Sequence, residues 1–262
     1  MFDSDPHIIQ AGPRQPARHN GIPLILIHDG GGTTFSYHLI GDLGRKVLGI
    51  ANPRFRSGIP WAGGLREMAT AYAALVASAV PSGPVILGGW SLGGLLALET
   101  AHVLSQTCPS IRVAGLVLID SVYPLRPEAG WSDIEKRLTE RHIEWPATTA
   151  AATKLCVERC FREAYRMIRE WRPPISQLPL ATLIRCREAV SIPGDGLLFV
   201  DIYRDEHRLG WDNYRKDLFC QVLEIPGHHY NVFALEHVDT VTVMIKAACA
   251  TIEKNNQVSV FP

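Results

Sequence analysis

Residues 84–100 read PVILGGWSLGGLLALET, and inside them Gly89-Trp90-Ser91-Leu92-Gly93 sets a serine between two glycines. An apolar, strand-like run precedes this pentapeptide and a helix-like run follows it. The serine therefore sits on a sharp strand-to-helix turn. Such a turn holds its central residue in a strained backbone conformation, and side chains two positions away on either side would strike the adjoining strand and helix. Glycine at 89 and 93 provides the clearance. The serine hydroxyl then stands exposed at a helix N-terminus, which carries partial positive charge.

The rest of the chain supplies the sheet that such a turn needs. IPLILIHDGGG (22–32), KVLGIANP (46–53), IRVAGLVLIDS (111–121), ATLIRCREA (181–189) and LFCQVLEIPGHHYNVF (218–233) each hold a short apolar run closed by turn residues. Between them, LREMATAYAALVASAV (65–80) has helical spacing, with Met68, Tyr72, Leu75, Val76 and Val80 recurring every three or four residues. VDTVTVMIKAACATIEK (238–254) reads as a closing helix. Short continuous strands alternating with helices predict an α/β fold, a mostly parallel sheet with helices on both faces. Residues 1–21 are polar and rich in Pro and Gly, and read as a linker before a single domain at 22–262. Residues 131–172 read as two or three helices without a strand, which predicts a helical lid insertion at about 125–180.

Composition excludes several classes. Lys+Arg and Asp+Glu both number 26, so no net charge argues for nucleic acid or an anionic membrane. No apolar run approaches a membrane span, and the N-terminus lacks the apolar core of a signal peptide. A soluble, cytoplasmic protein is expected. The six cysteines are scattered: Cys156 and Cys160 have helical spacing but no matching second pair, so core thiols are expected rather than a metal site.

A serine nucleophile needs a base, and the base needs an orienting acid. His228 and His229 follow the last strand, with His237 further on. Asp120 ends the strand after the serine helix, and Asp195, Asp201 and Asp205 follow the next strand. Acyl transfer also requires two N–H donors for the developing oxyanion. The backbone N–H of Leu92 is one; the glycine loop His28-Asp29-Gly30-Gly31-Gly32 offers the other, Gly30 first and Gly31 second. That loop lacks the Lys-Ser/Thr of a phosphate-binding loop. Trp90 and His28 are candidates for the acyl pocket, and Trp90 has packing under the turn as its alternative role.

Taken in order, LILIHDGGGTTFSYHLI, PSGPVILGGWSLGG, GLVLIDS, LGW (209–211) and IPGHHYNVF resemble the thioesterase domains that end nonribosomal peptide and polyketide synthases. IANPRF and HDGGGTTFSYHL further resemble terminal domains of fungal single-module synthetases. The resemblance covers most of residues 22–245 and is weakest at 125–180. It implies an α/β-hydrolase fold and selects Ser91, Asp120 and His229 as the catalytic triad. It also implies that a carrier protein, within the same polypeptide in the parent synthase, delivers a small-molecule acyl group on phosphopantetheine. The domain itself then binds no cofactor and no metal. Release would be by hydrolysis, cyclisation or Claisen-type carbon–carbon condensation. A small-molecule esterase or lactonase and a non-catalytic binding module of the same fold are the alternatives. The family loop often reads His-Pro-x-Gly-Gly; here Asp29 replaces the Pro and has no assigned role. In the lid, Arg162, Arg166 and Arg169 share a helical face, which either docks an acidic carrier or is simply solvated.

Overall fold

A computed structural model describes residues 5–13, 21–125, 131–139, 145, 147–175 and 178–258. Its centre is a seven-stranded sheet in the order β1-β3-β2-β4-β5-β6-β7. The strands are β1 (His7–Gln10), β2 (Leu24–Ile27), β3 (Val47–Ile50), β4 (Gly83–Trp90), β5 (Ile111–Ile119), β6 (Ala181–Cys186) and β7 (Phe219–Ile225). All neighbours run parallel except β1, which pairs antiparallel with β3. The strand order reverses at β2 and β4, the topological switch point where open α/β sheets place their ligands.

Side chains alternate across the sheet as the pleat demands. Ile25, Ile27, Val85, Leu87, Leu116 and Leu118 face the core formed with α1 (Gly64–Ala79) and α2 (Leu92–Thr107). Leu24, Leu26, Ile86, Val117 and Ile119 face the opposite way, toward α5 (Val238–Val258). Both faces are thus covered, which is why these strands read as continuous apolar runs. Met68, Tyr72 and Val76 are buried on α1, and Leu75 and Val80 pack partly buried against the same core.

Residues 7–10 correct the expected linker over 1–21. They form the edge strand, with His7 opposite Gly49 and Ile8 opposite Leu48. Composition conceals such a strand: four residues with one side in water need no apolar run. Ile8 is indeed exposed.

The lid contains α3 (Trp131–Arg137) and α4 (Ala151–Glu170). Parts of the expected 125–180 insertion, namely 126–130, 140–144, 146 and 176–177, lie outside the described residues. Helix α4 buries Cys160, Ala164 and Met167, and polar clips fasten it to the loop after β3. Glu163 accepts the Trp61 N–H at 2.9 Å, and Arg166 donates to the Trp61 carbonyl at 2.7 Å, so both polar groups of that residue's backbone are held by one ion pair. Arg159 donates to the Phe55 carbonyl at 2.8 Å. The expected basic stripe is therefore divided. Arg166 is engaged with Glu163, Glu170 and the Trp61 backbone, while Arg162 and Arg169 are exposed. Sequence periodicity placed the three on one face but could not show that the loop after β3 reaches up to take one of them. Cys160, Cys186 and Cys249 are buried and Cys220 is exposed. Among the described residues no helix is long and apolar enough to cross a membrane, and no cluster of three or more His, Cys, Asp or Glu is placed to hold a metal.

Helix α5 lies so close to β5 that a Cβ on Gly115 would be 2.7 Å from Ile252 Cγ2. Gly115→Ala is expected to destabilise the protein by about 1–3 kcal/mol through overpacking. In urea unfolding, Gly115→Ala combined with Ile252→Ala, which removes all three of the crowding carbons, should cost less than the sum of the two single changes.

Candidate active site

The serine turn has the strain that its sequence predicts. Ser91 adopts φ 57° and ψ −119°, between the end of β4 and the first residue of α2. Its N–H is anchored on the Ile119 carbonyl at 2.9 Å, and its carbonyl accepts the Ser121 hydroxyl at 2.8 Å. A Cβ on Gly89 would lie 2.6 Å from the Gly93 carbonyl carbon and 2.7 Å from the Ile27 oxygen. A Cβ on Gly93 would overlap the Ile27 oxygen directly. Gly94 is a third close approach, against Ser121 at the end of β5. The pentapeptide motif gives no hint of it, because the contact comes from a distant strand.

Three strand ends then converge. His229 Nε2 lies 3.0 Å from Ser91 Oγ, and His229 Nδ1 lies 2.8 Å from Asp120 Oδ2. Asp120, with φ 43°, is fully buried just beyond β5. Its Oδ1 accepts the Cys186 N–H at 2.8 Å. Burial alone would raise its pKa, but hydrogen bonds from His229 and Arg204 outweigh that and hold the carboxyl well below the usual range. Asp195 and Asp205 are exposed, and Asp201 is buried against Arg204 at 2.9 Å. His228 instead turns within its own loop, its N–H on Asn231 Oδ1 at 2.7 Å and its Nδ1 accepting the Tyr230 N–H at 3.2 Å. Arg204 escaped the sequence reading. Lying 84 positions from Asp120, it belongs to no local motif.

Ser91 and His229 open into a cavity of about 110 Å³. Its walls are mainly apolar, with Leu95, Val122, Phe161, Tyr165, Phe199 and Tyr230 from the sheet edge, the lid and the following loops. Leu92 and Gly30 border it beside the serine. The Gly31 N–H is already bonded to Asp29 Oδ1 at 2.9 Å, and the Gly32 N–H to the Asp29 carbonyl at 3.0 Å. Of the two glycines proposed for the oxyanion, Gly30 is the one whose N–H is not drawn into this turn by Asp29. The aspartate thus shapes the loop through a side-chain turn, at the position where a proline would do so through its ring. Trp90 lines the cavity, and its ring lies 5.5 Å from those of His229 and Phe233.

His28 does not line the cavity, which corrects its candidacy for the acyl pocket. Its ring is buried behind the loop, with Nε2 2.5 Å from the Tyr72 hydroxyl and Nδ1 2.5 Å from the Asp29 carbonyl. The reason is positional: the alternation of β2 ends at Ile27, and His28 turns to the same side of the sheet as Ile27, where Tyr72 of α1 meets its ring. Burial lowers its pKa to about 4, while burial raises that of Asp29 to about 6.

These neighbours titrate with opposite sign. As pH falls from about 6.5 to 4, the unfolded chain protonates His28 before the folded one does, so stability is lost. Over about 6 to 3.8 the folded state takes up the Asp29 proton first, so stability is gained. Asp29→Asn removes the second effect. Its melting temperature should fall more steeply than wild type between pH 6.5 and 4, and equal slopes would refute this balance.

Known proteins resemble this chain over most of its length. The thioesterase domain family model matches residues 22–249. Thioesterase frbD of Dothideomycetidae sp. (strain 11243) is 35% identical over 244 residues, covering 88% of this chain and 90% of its own. The nonribosomal peptide synthetase imqB of Aspergillus flavus is 31% identical over 98% of this chain, which matches only 8% of that much longer protein. Among solved structures, the NocB thioesterase domain in covalent complex with a fluorophosphonate nocardicin G analog superposes with a TM-score of 0.67 at 26% identity, covering 87% of this chain and 94% of that one. A seven-stranded α/β sheet, a family match across nearly the whole domain and a relative of similar length at 35% identity place this chain in the thioesterase domain family, hydrolases of the α/β-hydrolase fold.

Proposed function

We propose that the protein is a serine thioesterase of secondary-metabolite biosynthesis that takes an acyl group from a carrier protein's phosphopantetheine thioester onto Ser91. The observation that carries this reading is the chain of contacts from Ser91 Oγ through His229 to Asp120 at the mouth of an apolar cavity. The family match and its synthetase-associated relative support it.

His229 Nε2 takes the proton of Ser91 Oγ as that oxygen bonds to the thioester carbon. Asp120 holds the imidazole through Nδ1–H and balances its new charge. The N–H groups of Leu92 and Gly30 receive the oxyanion. When the oxyanion collapses, the C–S bond breaks and His229 returns its proton to the leaving sulfur, leaving an acyl ester on Ser91. A second nucleophile then gives its proton to His229, attacks the ester and frees Ser91. The same base serves water, an internal hydroxyl or amine, or a carbon nucleophile. The apolar lid over the serine is what selects among them, by governing water entry.

Intact mass after treatment with a fluorophosphonate should show one adduct on wild type and none on Ser91→Ala. With an acyl-N-acetylcysteamine thioester, Asp120→Asn should reduce kcat by about 10⁴-fold. Equal labelling of Ser91→Ala would overturn the assignment of the nucleophile.

A further inference from the structure

The triad acid is not held by His229 alone. Arg204, 5% exposed, lies three residues beyond Asp201, and its guanidinium has five N–H donors, all engaged. Two go to Asp120, Nη1 to Oδ1 at 2.7 Å and Nη2 to Oδ2 at 2.9 Å. Two more go to the Cys186 and Val200 carbonyls, at 2.9 and 3.1 Å. The fifth, from Nε, goes to Asp201 Oδ1 at 2.9 Å. Asp201 is itself fixed, its Oδ2 accepting the Val190 N–H at 3.0 Å.

A bidentate guanidinium prevents the carboxylate of Asp120 from rotating away from the imidazole. Alone, however, it would work against catalysis. A permanent cation on the triad acid cancels the charge that is needed to stabilise an imidazolium. Asp201 restores it. Asp120, Arg204 and Asp201 sum to one negative charge, and the set becomes neutral when His229 is protonated, the state that acyl transfer passes through.

We propose that Arg204 and Asp201 are positioning residues for the triad: the arginine fixes the Asp120 carboxylate, and Asp201 returns to the buried set the negative charge that the His229 imidazolium neutralises. The proposal rests on the Ser91–His229–Asp120 reading.

Other charged and titratable groups border this set. From β6 come the Cys186 thiol and Arg185, which donates to the Arg204 carbonyl at 2.6 Å and lies 3.9 Å from Glu224. The loop after β7 brings His228 and Tyr230, the latter with its ring 4.9 Å from His229. Asp29 lies across the cavity. None of these bonds both to the triad acid and to a second carboxylate, as Arg204 does.

The test is the acidic limb of the pH profile of kcat/KM on an acyl-N-acetylcysteamine thioester, which follows the base in the free enzyme. Removing the cation should stabilise the imidazolium, so Arg204→Met moves the limb up, by on the order of one pH unit. Removing the anion should do the reverse, so Asp201→Asn moves it down by a similar amount. The double variant loses no net charge and should return close to wild type. Arg204→Lys keeps the charge but loses the fork, so the limb should stay while kcat falls by about tenfold or more. Limbs that stay put in both Arg204→Met and Asp201→Asn, or that move in the same direction, overturn the proposal. If Arg204→Met does not fold, as a melting curve would show, Asp201→Asn decides alone: a downward shift supports the proposal and any other result sinks it. Failure of the triad reading appears separately, as a Ser91→Ala protein that still forms the acyl-enzyme.

Discussion

The contact between the Ser91 turn and the end of β2 is the constraint from which the site follows. Ile27 ends β2, and its carbonyl oxygen lies where a Cβ at either Gly89 or Gly93 would have to go. Only a glycine pair lets α2 start this close to the neighbouring strand. That closeness brings the Leu92 N–H and the glycine loop to the same small region beside Ser91. The switch point of the sheet adds the rest: β5, running next to β4, delivers Asp120 to the same edge, and the loop after β7 returns to bring His229 between them.

Above this edge the lid joins the core through an apolar face that includes Ala164 and Met167, and charged groups add fixed points to it. The Glu163–Arg166 pair grips the two backbone groups of Trp61, and Arg159 reaches the Phe55 carbonyl. Hydrogen bonds to charged groups are directional, so α4 is held in one rotational setting with Phe161, Ala164, Tyr165 and Ile168 turned to the cavity. The serine, aspartate and histidine are thus placed by the sheet, and the shape of the cavity by one helix.

What the sequence made legible was local or periodic. The pentapeptide around Ser91, the apolar strands and the order of serine, acid and histidine all declare themselves within a few residues. The sheet edge at residues 7–10 did not, because a half-solvated strand of four residues carries no apolar run. His28 looked like a wall of the pocket because Asp29 and Gly30 beside it line the cavity, but where β2 ends its ring turns instead to Tyr72 on α1. Arg204 and Asp201 were the hardest to see. Asp201 was legible only as a rival for the role of acid, whereas its position next to Arg204 emerges only when chain segments 84 residues apart are brought together.

The glycine loop and the lid meet at one point. A Cβ on Gly30 would be 2.9 Å from the ring of Phe161, and Gly32 backs onto Cys160 in the same way. The two segments lie more than 120 residues apart, yet neither can drift alone during evolution. A relative that enlarges position 30 must shrink or shift the aromatic at 161. New pocket shapes are therefore expected to arise through paired changes across that seam, with the glycine loop setting the limit on how freely the lid diversifies.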